Sequence, residues 1–402
     1  MTGEGVSHTL VFASVAAGGW LLAVAIAAAF RGRFFAVFAG VILGLVALSS
    51  VGLYRALPGL EPAFFYLSVV TSVHFVSLSF AALRPLPYRL LVSIPASFFA
   101  AGALLGFPWA ILAGFGFEPF GAFIPFVLAG IGILESLISR ESVRDLVVDG
   151  APAGSEPARH RVPDVRVDRP LRIVQISDPH LGPFMPIARL RRICELAVAK
   201  DPDLILLTGD FLTMESQASP NYLDEAFAPL AALPGRVFAC NGNHDHEAPH
   251  IVQHACRKHG ISLLIDDEAV VETPAGTVQI VGFDYAFRRR KERMAALCKR
   301  YPRRDEHLRI LLLHDPGAFR HLPEGEGDLV LSGHTHGGQL GLVSLGLPWT
   351  LLSVLTRMPD HGFWARGTDR LYVHRGTGHY GFPLRLGVPA EEGLLRVHWI
   401  RS

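Results

Sequence analysis

Lysine is missing from the first half of this sequence: none occurs before Lys200. Charge of either sign is scarce there too. Between Gly5 and Leu134 the only charged residues are Arg31, Arg33, Arg55, Glu61, Arg84, Arg89 and Glu118. A stretch so poor in charge cannot build the surface of a water-soluble domain. Cysteine is also rare. Cys194, Cys240, Cys256 and Cys298 form no CxxC pair, and all lie beyond residue 139. This disfavours a disulfide framework and a cysteine-rich structural zinc site, and it fits reduced thiols of a cytosolic domain. No basic segment precedes the first apolar run, which argues against a cleaved signal peptide. The net charge of +1 gives no basic excess, so nucleic acid is not indicated as a partner.

Long apolar runs are what the N-terminal part does have. About 20 apolar residues cross roughly 30 Å of hydrocarbon. Thr9–Phe30, Phe34–Tyr54, Pro62–Leu83 and Leu90–Leu112 each reach that length without a charge, and Pro119–Ser139 follows with Glu135 near its end and Pro125 inside it. The expectation is a transmembrane bundle of about five spans over residues 1–139. Arg31/Arg33, Arg84/Arg89 and Arg140/Arg144 follow alternate spans, so the positive-inside rule puts the soluble C-terminal domain in the cytoplasm and the anchor in the cell membrane. His74, inside the third run, is expected to hydrogen-bond within the bundle, and Gly40, Gly44, Gly130 and Gly132 to mark close helix packing.

Residues 140–169 lose the apolar pattern and gain turn formers, reading as a linker that ends in an edge strand near Val165–Val167. From residue 170 to 402 short apolar runs alternate with helical periodicity, which predicts α/β layering. Strands are predicted at Arg172–Ile176, Leu204–Thr208, Val237–Ala239, Leu308–Leu313, Leu329–Leu331, Leu371–His374 and Leu394–Trp399, with a hairpin over Val270–Gly282. Helices are predicted at Ile187–Lys200, Asn221–Leu233 and Pro249–His259.

Five of those strands run into clusters of Asp, Asn, His and Gly: Asp178-Pro-His180, Gly209-Asp210, Gly242-Asn243-His244-Asp245, His314-Asp315 and Gly333-His334-Thr335-His336-Gly337-Gly338. Strand C-termini are where α/β sheets gather ligand-binding side chains. A crevice lined with His, Asp and Asn suits divalent Mn, Fe, Zn or Mg. Gly209, Gly242 and Gly333 directly precede candidate ligands, where a strand must turn sharply.

The ordered set D-x-H, G-D, G-N-H-D, H and G-H-T-H resembles the calcineurin-like metallophosphoesterases over about residues 170–400. The Gly-Gly-Gln after His336 and the Arg375-Gly-Thr-Gly and Arg385-Leu-Gly segments are similar to the bacterial branch with N-terminal transmembrane segments. The resemblance implies a membrane α-helical bundle followed by an α/β metallophosphoesterase domain of two packed mixed β-sheets flanked by helices. It implies two divalent metal ions, one held by Asp178, His180, Asp210 and His336, the other by Asp210, Asn243, His314 and His334. It further implies that His244 contacts the phosphate and protonates the leaving oxygen, with Asp245 orienting it.

The activity implied is hydrolysis of a phosphomonoester, phosphodiester or pyrophosphate, and tethering to a bilayer makes a lipid-linked substrate a natural candidate. The alternative is a membrane sensor or binding protein with an inactive hydrolase fold, against which the complete ligand set argues. His379 and His246 each fit either a substrate contact or a surface position. Arg385 fits either a phosphate contact or a structural pairing, and Arg288-Arg289-Arg290-Lys291 reads as a solvated helix start. The run Leu340–Leu355 fits either a buried core loop or an apolar flap beside the metals. Asp284-Tyr285 and Glu391-Glu392 depart from the branch pattern at positions that hold no metal.

Overall fold

The computed structural model describes residues 3–379, 381 and 383–400, with side chains from Ser7 onward. Packing divides the chain into two units, Met1–Glu135 with Gly381–Leu384, and Ser136–Tyr380 with Arg385–Ser402.

In the first unit, three helices among the described residues are long and apolar enough to cross a membrane: Ser7–Phe30, Arg33–Ala56 and Leu86–Leu105. The other expected spans differ. The helix Glu61–Ser77 stops at 17 residues, and the last apolar helix, Ile124–Ser136, has 13. The fourth run breaks at Gly106 because Pro108 cannot continue the helical hydrogen-bond ladder, so a new helix, Phe107–Gly114, begins there. Pro125 does not interrupt the last helix. It sits in that helix's first turn, where a missing N–H costs nothing. Aromatic rings fill the interior, with Phe12 stacked 4.5 Å from Tyr54 and Phe64 edge-on to Phe99 at 5.6 Å. Gly40 and Gly44 bring helices close, and the Trp20 Nε1 donates to the Gly40 carbonyl at 2.9 Å. His74 is buried, but its Nδ1 has no hydrogen-bond partner among the described residues.

The second unit is a pair of sheets. Its strands are β1 (Ser139–Val148), β2 (Ala158–Arg159), β3 (Leu171–Ile176), β4 (Leu204–Leu207), β5 (Val237–Ala239), β6 (Ser262–Leu263), β7 (Asp267–Thr273), β8 (Gly276–Phe283), β9 (Leu308–Leu313), β10 (Leu329–Ser332), β11 (Gly362–Arg366), β12 (Asp369–Val373) and β13 (Ala390–Trp399). One sheet has the order β1-β13-β3-β4-β5-β6 and the other β2-β11-β12-β10-β9-β8-β7. Both are mixed, with parallel centres β3-β4-β5 and β8-β9-β10-β12.

Alternation along the strands assigns each side chain to a layer. Ile173, Leu204 and Leu206 face Ile310, Leu312 and Leu331 between the sheets. Val174, Ile205 and Leu207 pack outward against the helices Ile187–Ala199, Pro220–Phe227 and Pro249–Lys258. On the far side, Leu311, Val330 and Leu371 pack against the helix Arg290–Arg300. The result is a helix–sheet–sheet–helix sandwich, in keeping with the expected fold.

The linker reading needs correction. No strand forms at Val165–Val167. The edge strand is β1, which lies inside the segment read as linker and pairs in parallel with β13 from Ser139↔Ala390 to Val148↔Trp399. Its first residues, Ser139–Arg144, are polar apart from an exposed Val143, and only Leu146–Val148 reach the core, so no apolar alternation announced it.

Candidate active site

Strands β3, β4 and β5 of one sheet and β9 and β10 of the other end at a common crevice, and their loops are stitched together by backbone bonds. Asp178 N donates to Gly209 O (3.0 Å), His180 N to Asp210 O (3.2 Å) and Gly333 N to His314 O (3.0 Å). Gln175, fully buried, joins the two sheets by donating from Nε2 to Thr208 Oγ1 and to Ser332 O, both at 3.0 Å. Asp178 accepts from His334 N at 2.9 and 3.0 Å, which ties the GHTH loop to the first strand loop.

The backbone is strained where the chemistry gathers. Asp178, His180, Asp210, His334 and His336 have φ of 51°, 47°, 56°, 69° and 50°, a left-handed region that costs non-glycine residues energy. Two glycines are obligatory at this density. A Cβ on Gly242 would collide with the Asp210 carboxylate, and one on Gly333 with Ser177 and the Asp178 carboxylate.

The side chains converge as two groups able to hold metal, Asp178–His180–His336 and Asp210–His314–His334, with the ligand atoms of each group within 4.8 Å of one another. Asp210 lies between them: its Oδ2 is 3.3 Å from His314 Nε2 and 3.7 Å from His180 Nε2. His336 Nε2 lies 3.6 Å from Asp178 Oδ1 and 3.1 Å from His180 Nε2. His314 Nδ1 is 2.7 Å from the Thr208 carbonyl, which holds a proton on Nδ1 and turns Nε2 into the crevice. That Nε2 is close to Asp210 but not aligned for a hydrogen bond, and the buried Asn243 Oδ1 has no partner among the described residues. Imidazole nitrogens aimed at each other, an orphaned amide oxygen and a central carboxylate form a donor set that a divalent cation would satisfy.

Electrostatics agree. Burial drives His180 down to about 3 and His334 down to about 4, and holds His336 well below its ordinary value, so all three stay neutral with lone pairs available. Burial would also depress His314, but the adjacent Asp210 carboxylate outweighs it and lifts this imidazole to about 10. Burial works against ionising Asp210 too, yet the facing histidines keep it well below the usual carboxylate range. Asp210 thus stays ionised opposite a protonated His314, and burial together with the Asp210 charge lifts Asp178 to about 7, protons that a divalent cation would displace.

His244 stands beside these groups, its ring 5.5 Å from that of His180 and its backbone N–H donating to Asp210 Oδ1 at 2.9 Å. The expectation that Asp245 orients it does not hold. Asp245 is fully buried, and its oxygens accept from the backbone N–H groups of Asp210 (2.7 Å), Phe211 (2.9 Å) and Gly242 (2.7 Å). A carboxylate among three converging amides staples the β4 and β5 loops together and has little left for a ring. Glu247 Oε1 lies 3.0 Å from His244 Nδ1 instead. Sequence reasoning missed Glu247, although an acidic residue three positions on, in a one-turn helix, was a usable signal.

Arg385 is also corrected. It is fully buried, and its terminal nitrogens are spent on the carbonyls of His336, Arg375, Gly378 and Val388, so it braces the loop behind His336 and cannot reach a substrate. His379 is buried near the crevice, its ring 5.3 Å from that of Phe184. His246, partly exposed, pairs with Asp284 at 3.0 Å. Tyr285 presents its ring about equally to His314 (6.2 Å) and His334 (6.1 Å), and Arg290, expected in solvent, pairs with Asp315 at 2.7 Å.

Comparison with known proteins follows the same residues. A family model described as calcineurin-like phosphoesterase matches residues 171–338. Phosphodiesterase YaeI of Escherichia coli is 30% identical over 253 residues, which cover 61% of this chain and 89% of that protein. The UDP-2,3-diacylglucosamine pyrophosphatase LpxG of Chlamydia trachomatis is 28% identical, covering 56% of this chain and 83% of its own length. A transmembrane protein with a metallophosphoesterase domain from Danio rerio is 31% identical, over 55% of this chain and 52% of its own. The crevice, the motif order and these relatives agree: the chain belongs to the calcineurin-like metallophosphoesterases, a family of hydrolases that use divalent metals.

Proposed function

We propose that this protein is a membrane-anchored phosphoesterase that hydrolyses a phosphomonoester, phosphodiester or pyrophosphate bond with two divalent ions. The observation that carries the proposal is Asp210, a buried carboxylate within reach of histidines from both metal-competent groups. Asp178, His180, Asp210 and His336 would hold one ion, and Asp210, Asn243, His314 and His334 the other. When bound, such ions acidify the attacking water and neutralise charge growing on the phosphoryl oxygens.

The protein's own groups supply the rest. His314 and Asp178 are locked by Thr208 O and His334 N, so the donors are oriented before a substrate arrives. His244 is the proton donor to the leaving oxygen. Glu247 engages Nδ1, so that Nε2 is the nitrogen that would deliver the proton, and raises the ring's affinity for it against the depressing effect of burial.

A lipid-linked substrate is part of this proposal, supported by the pyrophosphatase relative, whose name specifies a diacylated substrate, and by the apolar helices of this chain. So is a cytoplasmic catalytic unit, supported by the arginines that follow alternate apolar runs. The test is hydrolysis by the full-length protein in lipid nanodiscs, against soluble and lipid phosphoesters, with Mn, Fe, Zn or Mg. Turnover that depends on added metal supports the proposal, and no turnover with any ion and any ester would favour a sensor.

A further inference from the structure

The segment after the GHTH loop inverts the usual rule of burial. From Leu340 to Thr356 it contains no charged residue. Its large apolar side chains nevertheless face outward, with Leu345 72%, Trp349 63%, Val354 76% and Leu355 71% exposed. Contiguous apolar surface of this kind on a soluble domain marks a contact with something else.

The segment is firmly built. Gly341 bridges to Thr350, and Leu340 to Leu386 and Gly387. Thr350 caps the short helix Leu351–Leu355 in a reciprocal box with Ser353 and donates from its hydroxyl to the buried Asp360. The Asp360 carbonyl accepts from Thr335 Oγ1 at 2.6 Å, and Arg159 pins the Pro348 carbonyl at 2.8 Å. A single buried aspartate thus links the exposed loop to the residue between His334 and His336.

We infer that Leu342–Leu355 inserts into the surface of the lipid bilayer and seats the metal crevice on it, so that the preferred substrate is a phosphoester presented in the bilayer interface. This rests on the phosphoesterase reading above. The bilayer is favoured over a protein partner by three observations. The same chain carries helices able to cross a membrane. Only Leu137 and Ile138, both exposed, separate the last apolar helix from β1, so the tether is short. Cations flank the apolar patch: Arg357 follows it exposed, and a cavity beside Val343, Leu347 and Pro348 is lined by Arg144, Arg159 and Arg375 against Asp145 and Glu391. Arg159 pairs with Asp360 and Arg375 with Glu391, so Arg357 and Arg144 are the charges left to attract anionic headgroups. Tryptophan and short apolar loops favour that interfacial depth.

The test uses the full-length protein in vesicles of phosphatidylcholine and phosphatidylglycerol. The native cysteines are all buried, so a fluorophore can be placed selectively at Val354→Cys, or at Asp305→Cys as a reference. Quenching of the first label and not the second by lipid-borne quenchers supports insertion. A Val354 label that stays unquenched overturns it, as does one shielded only as protein concentration rises, which would make the patch a face between copies.

In parallel, Leu345→Glu/Val354→Glu should lower hydrolysis of a lipid phosphoester in the vesicles by about tenfold or more, the worth of one buried side chain, and spare a soluble nitrophenyl phosphodiester. Equal loss on both substrates would mean that the segment merely supports the site. If wild type cleaves neither substrate, the phosphoesterase reading fails, and the depth measurement still decides where the loop lies.

Discussion

Two neighbouring loops violate the rule of polar outside and apolar inside in opposite ways. His334–Gly338 holds Thr335 and His336 in the interior, with His334 and His336 at strained backbone angles, whereas Leu342–Leu355 holds leucines and a tryptophan in the open. Each violation is costly unless something outside the polypeptide completes it. For the first loop the missing partner is a cation among neutral imidazoles. For the second it is an apolar phase. The two are joined through Thr335 and Asp360, so the pair reads as one device that carries a metal centre to a surface.

The largest expected effect comes from breaking the first half of that comparison. Asp210→Asn removes the charge that both metal-competent groups share. It should abolish turnover and drop bound metal well below two ions per chain, as read by elemental analysis of the folded variant. A fully metallated, active variant would end the shared-carboxylate account. His244→Ala should keep its metals yet lose about 10²–10⁴-fold in rate on a substrate with a poor leaving group, the usual range for a positioned acid. An unchanged rate would remove His244 from the chemistry.

Glu247→Gln sharpens that assignment through pH. Glu247 raises the His244 affinity for its proton, so its loss lowers that pKa. A general acid works only while protonated, so the alkaline limb of the rate profile should move to lower pH, with a modest loss at the optimum. A profile that keeps its shape would make Glu247 merely structural.

Glu391 supplies the contrast within the comparison, because it is a buried charge that the protein satisfies by itself. It accepts from Ser142, Tyr372 and Arg375. Burial opposes its ionisation, but Arg375 and these donors hold its carboxyl well below the usual range. A carboxylate depressed by folding contributes stability that is present above its unfolded pKa, near 4.3, and is lost as pH falls through the folded value. Glu391→Gln should therefore destabilise at neutral pH by about 3 kcal/mol, the low end for breaking a buried pair. The gap from wild type should close in acid, with little effect on the rate constant. Thermal unfolding across pH reads this directly.

How much was legible follows from how local each feature is. The ligand residues sit within a few positions of a strand end and a glycine, so chain order exposes them, and the strands around them carry plain apolar runs. Asp245 was visible as a residue but not as a staple, because two of its three amide partners come from the β4 loop, far off in sequence. Arg385 fitted two roles in the sequence because only the folded chain shows its donors facing carbonyls. β1 stayed hidden because a polar edge strand is specified by its partner β13 and not by its own pattern. The exposure of Leu342–Leu355 was undecidable from composition, since a buried loop and an interfacial flap share the same residues.

The most direct measurement is metal stoichiometry against activity. Full-length protein stripped by chelator and titrated with Mn or Zn should bind two ions per chain and regain phosphoester hydrolysis only as the second site fills. Full activity with a single ion, or in the presence of excess chelator, would contradict the two-ion centre built around Asp210.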